Sequence, residues 1–277
     1  MKTIVIPVDH SVAAENAIKY GAAFSAATEN ERIILLQSLY VPIYAQCIPS
    51  IDYVQVSDKI MTEDRTSLDA ELQLTAQRLR EKVKAGVIVE TIISEEALAR
   101  ALNELSNEQQ PDLIIAGVCC ETDEDDSFVE SQVIRIAKTS TVPVLIVPSN
   151  VSYQPIENAL LPCDFSTVSS VNLLKNLRHT YLWLHPKLLV LNVAPDGKYR
   201  QTANEDLLED ILSNYQYEVY YSSSKNVLKG ILEFQEQNEV QMIIALPGKH
   251  SFFYSLTHKS ISEAITQNAN LPVLILK

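Results

Sequence analysis

The chain has 277 residues, which is more than one ordinary α/β domain needs and enough for two. Its net charge is −13, and 23 of its 35 acidic side chains fall within residues 1–150. Such an acidic chain repels nucleic acids and anionic membrane surfaces, and its longest apolar runs are too short for a membrane span of about twenty residues. We therefore expect a soluble protein with no nucleic-acid or membrane partner.

Apolar runs predict five strands in the first half, over 3–8, 32–38, 87–93, 112–117 and 143–147. After the first of them, four apolar positions keep helical spacing behind Ser11, a plausible N-cap: Ala13, Ala17, Tyr20 and Phe24. Strands that are apolar on both faces and alternate with helices are typical of a parallel sheet covered on both sides.

The chain repeats itself. Residues 3–11 match 158–166 at an offset of 155, and this offset persists through the second strand. Further on, residues 113–116 match 242–245 at an offset of 129, so the first copy carries 26 extra residues, within about 41–86. Two separate stretches of constant spacing indicate duplication.

We therefore predict two domains of one kind, at 1–149 and 155–277, joined by a proline-bearing linker at 148–155. Each is expected to be a doubly wound α/β domain with a five-stranded parallel sheet.

The order of strand, Pro-x-Asp-x-Ser, helix and closing Pro-Val-Leu-Ile strand occurs in both copies and resembles the universal stress protein family. The resemblance implies a flavodoxin-like sheet that pairs through its last strand. Here the two copies could form that pair within one chain, as an intrachain pseudo-dimer. A homodimer of the whole chain is equally compatible with the sequence.

Members of this family that bind ATP carry the motif G-x-x-G-(x)9-G-[ST] after the fourth strand, where backbone N–H groups and a helix N-terminus hold phosphates. The resemblance places these positions on Gly117, Cys120, Glu130 and Ser131, and on Leu246, Lys249, Lys259 and Ser260. Of the six motif glycines only Gly117 is kept, whereas both serines match. The family's aspartate beside adenine and ribose corresponds to Asp9 and Asp164.

The candidate loop of the first copy is strongly acidic, with five carboxylates among the six residues 121–126. These charges repel a triphosphate, so we predict that ATP does not bind tightly there. The loop could hold a hard cation such as Mg²⁺, or it could simply be solvated.

The loop of the second copy is basic instead, with four positions that can carry positive charge: Lys249, His250, His258 and Lys259. An anion could be held there by charge and by helix N–H groups together. Alternatively, Ser260 and Glu263 form a capping box that satisfies those N–H groups internally.

The other candidate site residues also have a structural interpretation. Ser131 could cap a helix, and Asp9 and Asp164 could brace the first turn of the helix that follows each of them.

The extra segment of the first copy predicts a helix over 58–85, from apolar or small residues at helical spacing: Leu68, Leu72, Thr75, Leu79 and Val83. The preceding stretch, 40–53, is aromatic and nearly uncharged, so we interpret it as a lid or a partner surface. A loop packed against its own domain is the alternative.

Enzyme motifs are missing: the chain has no glycine-rich dinucleotide loop, no P-loop and no nucleophile elbow, and its five histidines lack metal-ligand spacing. We therefore predict no catalytic residues and no metal. None of the four cysteines lies in a C-x-x-C pair, which indicates reduced thiols and a cytoplasmic protein, with Cys163 as a small buried residue.

Two functional hypotheses follow. In the first, a non-catalytic stress-response module with degenerate nucleotide loops acts through a protein partner. In the second, the chain senses ATP, AMP or another small anion through the second copy, with ATP hydrolysis at most slow and incidental. Fold alone does not decide between them.

Overall fold

The computed structural model describes residues 2–39, 51–119, 133, 135–163, 175, 177, 184–194, 205–245 and 270–277, with backbone alone for 51–64 and 205–207. None of the helices in these ranges is long and apolar enough to cross a membrane.

The first half contains five strands and three helices in the order β1 Thr3–Val8, α1 Val12–Thr28, β2 Arg32–Ser38, α2 Ile51–Arg80, β3 Ile88–Ser94, α3 Leu98–Gln109, β4 Leu113–Val118 and β5 Val144–Pro148. The two strands predicted at 3–8 and 32–38 are confirmed, and the other three are shifted by one residue. Ser11 caps α1, since its Oγ accepts a hydrogen bond of 3.1 Å from the Ala14 N–H.

The prediction for α2 was wrong at both ends. The helix begins at Ile51 and ends at Arg80, whereas spacing had indicated 58–85. It stops early because the Lys82 and Val83 N–H groups both bond to the Leu79 carbonyl, which tightens the chain into a turn. Gly86 then takes a left-handed φ of 100° before β3.

The second half contributes β6 Asn158–Pro162, β7 Lys187–Val193, α4 Glu205–Leu212, β8 Tyr217–Ser222, α5 Val227–Gln237, β9 Met242–Ala245 and β10 Val273–Ile275. Strands β6 and β7 follow β1 and β2 at the offset of 155, whereas β8, β9 and β10 follow β3, β4 and β5 at 129. The change of offset falls between β2 and β3, so the extra residues of the first half belong to the connection that contains α2.

All ten strands form one sheet in the order β3-β2-β1-β4-β5-β10-β9-β6-β7-β8. Neighbouring strands are parallel except β5 and β10, which pair antiparallel with Leu274 opposite Leu145. Both of these side chains are 0% exposed.

Helices cover both faces of the sheet, because alternate residues of each strand enter different cores. Ile4 and Ile6 pack with α1 and α2, whereas Val5 packs with α3. Each of the two cores also contains residues of the second half, such as Leu274 in one and Ile275 in the other. The cores therefore run across the β5–β10 junction without a break.

Two further contacts tie the halves and the linker together. The Lys277 ammonium donates a hydrogen bond of 2.6 Å to the Ala137 carbonyl, and burial lowers the pKa of Lys277. Tyr153 of the linker packs edge-on against Tyr20, with ring centroids 5.3 Å apart, and burial raises the pKa of Tyr20.

The shared cores predict cooperative unfolding of the whole chain. We expect one calorimetric transition in which the van 't Hoff enthalpy equals the calorimetric enthalpy. Leu274→Asp buries a charge at the junction and should lower the melting temperature and split the transition in two. Two transitions in the unaltered protein would contradict this prediction.

Candidate functional site

In the first half the strand order reverses between β1 and β4, the point at which an open α/β sheet forms a crevice. β1 lies between β2 and β4. Helix α1, which follows β1, packs in one core, whereas Ile136 and Ala137, which precede β5, pack in the core on the opposite face. In open α/β sheets this is the usual position of a ligand site. Asp9, His10 and Ser11 follow β1 here, and Gly117 and Val118 end β4.

Asp9 contacts the start of α1. Its Oδ1 accepts hydrogen bonds from the Ser11 N–H at 3.0 Å and from the Ser11 hydroxyl at 2.6 Å. Because the same hydroxyl accepts from Ala14, the carboxylate orients the cap of the helix. These contacts are the ones expected of a residue that braces the first helical turn.

Gly117 lies directly against the backbone of α1. A Cβ added to Gly117 would stand 2.1 Å from the Ala13 carbonyl oxygen and 2.4 Å from its carbon, which no real side chain could do. Helix α1 can therefore approach β4 only because residue 117 is glycine. The side of Gly117 on which a Cβ would stand is filled by protein, so a phosphate cannot approach there.

A polar cluster beside the crevice was not predicted from the sequence. His10 has a left-handed φ of 60°. Its Nε2 lies 3.1 Å from Gln37 Nε2 and 3.6 Å from Glu71 Oε2. Gln37 is 4% exposed, and its Oε1 has no hydrogen-bond partner among the described residues. The sequence gives one indication of this cluster, the polar residue Gln37 at the end of the apolar run that begins at Ile33.

In the contact between His10 and Gln37, the Gln37 amide nitrogen can only donate, so His10 Nε2 accepts and the imidazole proton lies on Nδ1.

In the second half, the position equivalent to Gln37 makes a different contact. Asn192 stands in β7 where Gln37 stands in β2, and its amide donates a hydrogen bond of 3.1 Å to the Cys163 carbonyl. Cys163 is 2% exposed, as predicted for a small buried residue. The buried amide is thus satisfied by its own half of the sheet.

The remaining predicted site residues lie outside the described ranges: Ser131, Asp164, Lys249, Lys259 and Ser260. Of the predicted set, the structure describes Asp9 and Gly117, which flank one crevice. Within the described ranges, no three His, Cys, Asp or Glu side chains are grouped closely enough to hold a metal ion.

The strand order and the crevice define a doubly wound α/β protein. A family model described as "Universal stress protein family" matches residues 1–148, and the chain therefore belongs to the universal stress protein family. No curated protein has significant sequence similarity to it.

Solved structures agree in fold. A universal stress protein from Archaeoglobus fulgidus is 18% identical, with a TM-score of 0.68 over 99% of this chain and 96% of that one. A putative universal stress protein from Pseudomonas aeruginosa is 14% identical, with a TM-score of 0.53 over 100% of this chain and 92% of that one. The structure of an Arabidopsis thaliana universal stress protein family protein with AMP bound covers 55% of this chain and 94% of its own at 14% identity, with a TM-score of 0.36.

The packing of Gly117 predicts that alanine is much more destabilising at this position than at Gly21. Gly117→Ala should lower the free energy of unfolding by about 1–3 kcal/mol, because backbone must move to admit the methyl group. Gly21→Ala is the control: its Cβ would come closer than 3.0 Å only to Ile6 Cδ1, the end of a side chain and not backbone, and alanine favours the helix. Urea denaturation measures both, and equal losses would contradict the packing role.

The contacts of Asp9 predict that an oxygen acceptor matters there and charge does not. Asp9→Asn keeps Oδ1 and should stay within about 0.5 kcal/mol of the unaltered protein, whereas Asp9→Ala should lose about 1 kcal/mol. Thermal and urea unfolding test this. If asparagine proves as costly as alanine, the negative charge itself holds the turn.

Proposed function

We infer that the chain is a non-catalytic stress-response protein that acts by binding partners, with nucleotide loops that have degenerated. Family membership supports the stress-response role. The degeneration of the nucleotide loops is supported by Gly117, the one motif glycine that remains, because it packs against the Ala13 backbone.

Charge supports the same proposal for the first half. In the sequence, residues 121–126 follow β4 and contain five carboxylates, which would repel an incoming triphosphate. Asp9, the expected adenine and ribose contact, is engaged with Ser11 in the turn before α1.

We further infer that the chain is an intrachain pseudo-dimer of two domains, 1–149 and 155–277. The antiparallel pairing of β5 with β10 supports this, because it joins two five-strand sets of the same order through their last strands.

Nucleotide or anion sensing by the second half is the competing function. It is favoured by the positive charges of Lys249 and Lys259 in the sequence segment that ends at Ser260, in a chain that is otherwise strongly acidic.

A calorimetric titration of the intact, ligand-stripped chain with Mg-ATP, at low and moderate salt, separates the two functions. We expect no saturable heat at either salt concentration. Saturable, salt-sensitive heat that disappears in Lys249→Ala/Lys259→Ala, and persists in the control Lys225→Ala, would assign the chain as a sensor. Heat that survives the double substitution would assign the ligand to the first half and overturn the proposal for that site.

A further inference from the structure

A groove of about 310 Å³ lies between α1 and α2, on the face of the sheet that these helices cover. It is separate from the gap between β1 and β4, although His10 lines its upper end. Its volume reaches the lower end of the range of small-molecule sites, about 300 Å³. The structure therefore offers a second place where a ligand of modest size could lie.

The groove has an apolar floor and walls. Val8 and Ala14 are buried beneath it, and Leu79 is 1% exposed. Ile18 and Leu74 flank it from the two helices, and Leu74 leaves 48% of its surface exposed. An apolar chain laid in this groove would cover these surfaces and remove Leu74 from water.

Charge is divided between the ends of the groove. Helices α1 and α2 both run from the carboxyl edge of the sheet towards its amino edge. Glu15 and Glu71 therefore stand at the upper end, whereas Lys19, Arg78 and Lys82 stand at the lower end. From Glu71 to Arg78, seven residues of α2 correspond to about 10 Å at the helical rise.

The three cations at the lower end form no ion pair within 4.0 Å with a described residue. This contrasts with the ion-paired arginines elsewhere in the first half: Arg32, Arg65 and Arg100. Arg78, near the end of α2, and Lys82, in the turn that follows it, line the same end of the groove, where their like charges repel each other. An anion placed between them and Lys19 would relieve that repulsion.

We propose that the α1–α2 groove binds a medium-chain carboxylate. The carboxylate lies among Lys19, Arg78 and Lys82, and the alkyl chain lies over Ile18 and Leu74 towards Val8. Glu15 and Glu71 at the other end oppose the reversed orientation and disfavour a second anionic group on the ligand. This binding is independent of the Mg-ATP result, because none of its residues belongs to the nucleotide motif.

The test is a titration of the intact chain with decanoate, below its micelle concentration, followed by calorimetry. We expect saturable binding of one decanoate per chain that weakens as salt is added. Decanol and decyltrimethylammonium, with the same chain and no negative charge, should bind at least about tenfold more weakly.

Charge reversal localises the site. Arg78→Glu/Lys82→Glu should weaken decanoate binding about tenfold or more, because two attractions become repulsions. Lys84→Glu, an exposed lysine near the same helix end but outside the groove, should leave the affinity unchanged. If the double variant does not fold, Lys19→Glu on the facing helix tests the same contact.

Three results would overturn the proposal: no saturable binding of decanoate, equal binding of decanol, or equal affinity in the charge-reversed and Lys84→Glu proteins. Equal decanol binding would identify the groove as merely apolar.

Discussion

Strand β5 imposes the main constraint on this architecture. Residues 144–147 are fully buried and apolar on both faces, so an uncovered edge of β5 would be a site of aggregation. β4 covers one edge and β10 covers the other, which merges the strands into one sheet and leaves β3 and β8 as its outer strands. Each outer strand carries an ion pair with its neighbour, Arg32 with Glu90 and Lys187 with Glu218, and such charge discourages further pairing.

The same close packing limits what the crevice of the first half can bind. Helix α1 packs directly against β4 because Gly117 has no side chain. The carboxylate of Asp9 accepts a hydrogen bond from Ser11, the N-cap of α1, and so stays in the turn before the helix. A glycine that resembles the remnant of a phosphate loop is thus required by the fold itself. At the neighbouring strand end the two halves differ, since Gln37 meets His10 whereas Asn192 bonds to backbone.

Much of the fold could be predicted from the sequence, because continuous apolar runs indicated the strands and the internal repeat indicated the same strands in the second half. The end of α2 could not be predicted, because it depends on a turn in which the Leu79 carbonyl accepts hydrogen bonds from two N–H groups and on the left-handed Gly86 after it. The His10–Gln37 contact was equally hidden, because it arises from a positive φ and from strands that are distant in sequence. For the candidate site, the position of the crevice could be predicted from the sequence, but the close packing of the α1 backbone against Gly117 could not.

The extra residues of the first half extend α2 well beyond what the sheet requires. Thirty residues of helix span about 45 Å, whereas a seven-residue strand spans about 23 Å. The buried positions Leu72 and Leu79 pack the later part of α2 on the sheet, and Arg65 pairs with Glu95 just after β3 ends. The fourteen helical residues before Arg65 therefore project about 21 Å past the carboxyl edge of the sheet. Because the projecting part of α2 falls within the range that holds the extra residues, 41–86, functions that distinguish the first half from the second are expected there, outside the nucleotide crevice.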